Sequence, residues 1–200
     1  YLLAVSSVAS GWSSYVQGFL ASLGIALPKA LTAGYNAKEG TYIDLIAALV
    51  VVFITVWVTQ EAKKALRLNN LMVWVKFALI ALFIVVGVFF IEPSNWKPYM
   101  PFGFSGVFDG AALVFFAFLG FDAIALAAEE VENPQKDIPR GIIGSIAIAT
   151  VLYVIVTLIL TGMVPYTELG VGDPVAFALR YVKLDMIGSV ISIGAILTLL

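Results

Sequence analysis

Long apolar runs dominate this chain, and the one from Val107 to Glu130, VFDGAALVFFAFLGFDAIALAAEE, carries Gly120 and Asp122 in its middle. At about 1.5 Å per residue it is long enough to cross a hydrocarbon layer of roughly 30 Å. An ionised carboxylate near the centre of a span costs about 2.5–3.5 kcal/mol on insertion scales, and something must offset that. A helix that breaks over Phe118 to Phe121 and restarts with Asp122 as its N-cap does so. The carboxylate then accepts a hydrogen bond from a backbone N–H about three residues on. A broken membrane helix is the signature of a binding site.

The rest of the chain suits a bilayer. Hydrophobic residues make up 62% and charged residues 12%, against about 45–50% and 25% in soluble domains. The mean hydropathy is +1.03. This composition predicts an all-α integral membrane protein whose solvent partner is the lipid bilayer. With neither cysteine nor histidine in the sequence, zinc sites, thiol catalysis, disulfide frameworks and histidine proton relays are excluded from it. A net charge of -2 without basic clusters gives nucleic acid no surface to bind. Starting at Tyr1 and ending inside an apolar run at Leu200, the chain reads as a fragment, here a single transmembrane domain over 1–200.

Spans are expected at about 1–23, 42–59, 71–91, 107–130 (broken near 118–121), 142–164 and 186–200. In the first, Ala4, Ser7, Gly11 and Ser14 are spaced for a small-residue packing face. Asp44 sits where a carboxylate caps the second. QEAKKALRLNN is expected to be a short polar connector to the third, which Glu92, Pro93, Ser94 and Asn95 close. After the break, Pro134 ends the preceding helix, and Asp137 before Pro139 is expected to cap the next. Asp173 and Pro174 predict a short helix to Tyr181. The connectors around 60–70 and 129–140 concentrate Lys63, Lys64, Arg67, Lys136 and Arg140, which places them on the cytoplasmic side.

Two features carry chemistry. Opening helix at the break frees carbonyls near Phe116, Ala117 and Leu119 that can accept an ammonium group, while N–H groups at half-helix starts favour a carboxylate. A zwitterion complements both; a glycine kink repaired by neighbouring helices is the plainer reading. Lys76 lies about six residues, roughly 9 Å, inside the third span. Either it snorkels back to the interface, or it faces the bundle interior as a protonation switch, an amine standing where another protein would hold sodium. Phe115, Phe116, Phe118 and Phe121 crowd the break as packing or lipid contacts, though one beside a gap could close over a ligand. Glu129, Glu130, Glu132 and Asp137 read as solvated or salt-bridging groups. No catalytic constellation emerges, and the chain is not expected to be an enzyme.

FFAFLGFDA followed by AAEEVENPQKDIPRGI resembles the amino acid/polyamine/organocation transporter superfamily, in particular its cationic amino acid transporter branch and nearby bacterial amino acid permeases. The likeness runs from YLLAVSSVASGWSSY through KFALIALFI to TGMVPYTEL. It implies that the spans are helices 3 to 8 of about twelve, in a leucine-transporter-like fold of two five-helix inverted repeats, with the broken span as helix 6. It also implies a multi-pass plasma membrane protein moving an amino acid, by proton symport or alternatively by exchange, or a transporter-like amino acid sensor. The proton would be the coupling ion through Lys76, with no sodium site and no other cofactor. Phe116, second in FFAF, would be an occluding gate, and Gly120 and Asp122 would shape the break. Cationic versus neutral selectivity stays open on this resemblance.

Overall fold

The structure is a computed structural model that describes residues 2–38, 40–118, 120, 131 and 133–199, with the side chains of 60–69 and 116 outside the description. Among the described residues the regular structure is helical apart from isolated bridges pairing Thr32 with Asp44 and Asn36 with Thr41. The helices are α1 (Leu2–Ser22), α2 (Leu45–Gly87), α3 (Gly103–Phe115), α4 (Pro134–Met163), α5 (Pro174–Tyr181) and α6 (Asp185–Thr198). Two stretches, Asn70–Phe90 and Pro134–Met163, are long and apolar enough to cross a membrane. Phe53, Trp74, Phe89 and Phe108 stand exposed around the helices, a surface suited to lipid or to further helices.

The polar stretch expected as a connector does not interrupt the chain. α2 runs unbroken for 43 residues, about 65 Å, and joins both apolar runs in one rod. The reason is local: EAKKALRL contains only good helix formers, with neither glycine nor proline to stop propagation. At its start Asp44 caps the helix as expected, its side chain accepting from the Ala47 N–H at 3.0 Å. The same oxygen accepts the Ser13 hydroxyl of α1 at 2.6 Å. Gln17 Nε2 donates to Ser13 Oγ and to the Thr32 carbonyl, both at 2.8 Å. One carboxylate thereby ties α1, α2 and the loop between them.

Packing of α1 differs from the small-residue stripe expected at Ala4, Ser7, Gly11 and Ser14. Ser7 is exposed and nothing approaches Gly11. Ala9 and Ser13 are the buried positions, with Ala9 against Ala47 and Val50 of α2. Burial follows the cap network, which turns Ser13 inward, and Ala9 sits one helical turn away on the same face.

A larger core joins α2, α4, α5 and α6 through Phe83, Ile159, Met163, Ala178, Leu179 and Ile191. Gly194 lets α6 approach Leu79 of α2, where a Cβ would find no room. The loop after α2 is pinned to the end of α4. Glu92 N–H and Asn95 Nδ2 donate to the Gly162 carbonyl at 3.0 and 2.8 Å, and Trp96 Nε1 donates to that of Leu158 at 3.2 Å. The two bonds to Gly162 occupy a carbonyl that a helix end otherwise leaves without a partner.

α4 begins earlier than the sequence suggests. Its N-cap is Asn133 with Pro134 in the first turn, a pairing as favourable as the one expected at Asp137 and Pro139. Asp137 is already inside, its N–H donating to the Asn133 carbonyl at 2.9 Å. Pro139 is tolerated within the helix, at the cost of the Gln135 carbonyl's usual partner four residues on. α5 starts at Pro174 as expected, yet Asp173 makes no side-chain cap. Its carboxylate instead pairs with Arg180 at 2.5 Å, and both face α1, where a Cβ on Gly18 would strike Asp173.

Candidate functional site

α3 gives up its α-helical form at Phe115, and Phe116–Phe118 continue as a single tighter turn. Gly120 then takes φ +108, a left-handed backbone that glycine adopts without strain. The departure from α-helix begins two or three residues before the expected 118–121. Four phenylalanines among residues 115–121 are middling helix formers, so the last turn has little intrinsic preference holding it. Leu119 and the restart at Asp122 lie outside the described residues, as do Glu129, Glu130 and Glu132. The Phe116 ring, expected as a gate, is likewise outside them.

The Ala117 carbonyl, expected to stand free for a ligand, has a protein partner. Tyr153 of α4 donates its hydroxyl to it at 3.2 Å. The Tyr153 ring meets Phe118 edge-on, with centroids 5.3 Å apart and an 82° angle between planes, a favoured aromatic geometry. Ser145, Ala149 and Tyr153 recur every four residues on one face of α4. Together with Ile146, Ala117, Phe118 and Gly120 they line a cavity of about 250 Å³. Nothing lies near enough to Gly120 to meet an added Cβ. A carbonyl has two lone pairs, and among the described residues the Tyr153 hydroxyl is the side-chain donor to that of Ala117, on a cavity walled by small and aromatic groups.

Lys76 is exposed on α2, and its side chain lines the edge of a second cavity of about 260 Å³. Tyr15 of α1, Phe83 of α2, Val156 of α4, Val175 of α5 and Thr198 of α6 line the same space. Lys76 thus lines an interhelical void together with Tyr15 and Thr198. Both cavities draw on α4: Tyr153 lines one and Val156 the other, three residues and about 4.5 Å of rise apart.

Reading the sequence missed Tyr153, Thr198 and Tyr15. Tyr153 alone left a trace, being a phenol in the middle of an apolar span, where its hydroxyl must find a partner. Thr198 and Tyr15 needed the helices to be packed before they could be recognised.

Comparison with known proteins agrees with this architecture. A methylthioribose transporter of Bacillus subtilis (strain 168) is 50% identical over 98% of this chain and 43% of its own length. A branched-chain amino acid permease of the same organism is 48% identical over the same shares. Cationic amino acid transporter 9, chloroplastic, of Arabidopsis thaliana is 34% identical over 98% of this chain and 35% of its own. The chain therefore spans less than half the length of these curated relatives. The amino acid permease family signature matches residues 1–200, and the chain belongs to that family of membrane transporters.

Proposed function

We propose that the protein containing this chain is a secondary active amino acid transporter of the plasma membrane, coupled to protons. The observation that carries the reading is the match to the amino acid permease family along residues 1–200. That match includes the break at Phe116–Phe118 and Gly120. The substrate's ammonium group is held by backbone carbonyls at Phe116, Ala117 and Leu119, with Phe116 as the gate and Gly120 and Asp122 shaping the break. Lys76 takes and releases the coupling proton, and no sodium or other cofactor is required. That Lys76 lines an interhelical cavity together with Tyr15 and Thr198 supports that role. The fold would be the leucine-transporter-like pair of inverted repeats, with the broken helix moving against α1, α6 and the first apolar run of α2 as access alternates.

Uptake by the full-length protein in proteoliposomes, with and without an inward proton gradient, tests the reading. Labelled leucine or lysine should accumulate only with the gradient, and Lys76→Ala should abolish accumulation while leaving downhill flux. Accumulation by Lys76→Ala equal to wild type overturns the proton role. Uptake that requires internal amino acid, rather than a gradient, identifies an exchanger, and binding without flux identifies a sensor.

A second reading has its own observation. The relative 50% identical to this chain is named for methylthioribose, and the sites described here carry no feature that demands a zwitterion. The remaining lone pair on Ala117 can accept from a sugar hydroxyl as readily as from an ammonium group. Competition of labelled leucine uptake by unlabelled methylthioribose separates the two.

A further inference from the structure

We propose that Tyr153 is a positioning residue for the substrate site, its hydroxyl fixing the direction of the Ala117 carbonyl; this rests on reading the break as that site. Tyr153 is 42% exposed, so tight burial of its ring does not account for its placement. Its contacts instead fall on two consecutive residues of the break. The hydroxyl is on the Ala117 carbonyl at 3.2 Å and the ring edge-on to Phe118 at 5.3 Å. Both residues belong to the turn that has left the α-helical pattern. In an apolar layer a carbonyl outside regular helix needs a protein partner, because no water is there to supply one.

The hydroxyl takes one of the two lone pairs on Ala117 and leaves the other for a ligand. It thereby sets the plane in which the second lone pair lies. Ser145 is excluded from the same duty, because its hydroxyl donates to the Ile142 carbonyl of its own helix at 3.0 Å. Ala149, between them on the same face, has no hydrogen-bonding side chain and leaves open the space that Gly120 faces across the cavity. Position 153 therefore supports the site from α4, without needing to touch the substrate.

Tyr153→Phe in the full-length transporter tests this, since it removes one oxygen and keeps the ring against Phe118. Two measurements are made on the purified protein: amide hydrogen exchange over residues 112–120, and uptake of labelled leucine, lysine and methylthioribose. The expected result is faster exchange confined to 112–120, together with a KM for the transported probe raised about three- to tenfold at unchanged maximal rate. Exchange at 112–120 equal to wild type overturns the proposal, and so does faster exchange with an unchanged KM. If the wild type transports none of the three probes while the variant's exchange quickens, the transport reading fails and the positioning of the break by Tyr153 stands.

Discussion

Replacing Asp44 by alanine removes a cap and a bridge at once, and their sizes can be separated. Asp44 Oδ1 accepts from Ala47 N–H at 3.0 Å and from Ser13 Oγ at 2.6 Å. Loss of an N-cap costs about 1 kcal/mol, and loss of a hydrogen bond to a charged acceptor about 1.5–3 kcal/mol. Ser13 is fully buried, so its hydroxyl proton finds no water in exchange. The bond it receives from Gln17 Nε2 persists. The sum is about 2.5–4 kcal/mol, which at roughly 2–4 °C per kcal/mol lowers the apparent melting temperature by about 5–15 °C. Asp44→Asn keeps an acceptor oxygen for both donors, and its cost should fall to about 1 kcal/mol. The assay is a double-mutant cycle with Ser13→Ala, read as the fraction of full-length protein remaining monodisperse after heating in detergent. Coupling of about 1.5–3 kcal/mol between positions 13 and 44 is expected. Purely additive effects, or equal losses for the alanine and asparagine variants, would refute the reasoning.

The larger core and the half-buried ion pair make further claims that the same heating assay can check. Phe83 is 1% exposed among Ile159, Met163 and Leu179, so Phe83→Ala should cost about 3–5 kcal/mol and Phe83→Leu less than half of that. For Asp173 and Arg180, whose side chains are 11% and 25% exposed, Arg180→Ala should destabilise more than Asp173→Asn. It leaves the more buried carboxylate without a partner, whereas the asparagine is neutral. Combining Arg180→Leu with Asp173→Asn should recover part of the loss, and a double variant as unstable as Arg180→Ala would contradict this.

Much of the site's setting was legible in the residues. Gly120 and the phenylalanines announced a break within three residues of where α-helix gives way, because a positive-φ glycine and a run of middling helix formers are local properties. Asp44 and Pro174 announced their helix starts for the same reason. The connector at 60–70 misled because polar composition was taken as a stop, when only its helix propensity decided the backbone. Asp173 misled in a different way. Its position as N-cap was right, but its carboxylate turned to Arg180, a partner seven residues on and about two turns along the same helix.

By itself, then, the sequence determined the membrane character, most of the apolar helices, the neighbourhood in which α3 gives way, and the family, all of which follow from hydropathy, local propensity and motif. Tertiary structure alone decided that Tyr153 answers the Ala117 carbonyl and that Lys76 shares a cavity with Tyr15 and Thr198. These pairings join residues 36 to about 120 positions apart. The apolar surfaces that bring them together are non-directional, so periodicity shows which side of a helix is buried and leaves open which distant residue it will meet.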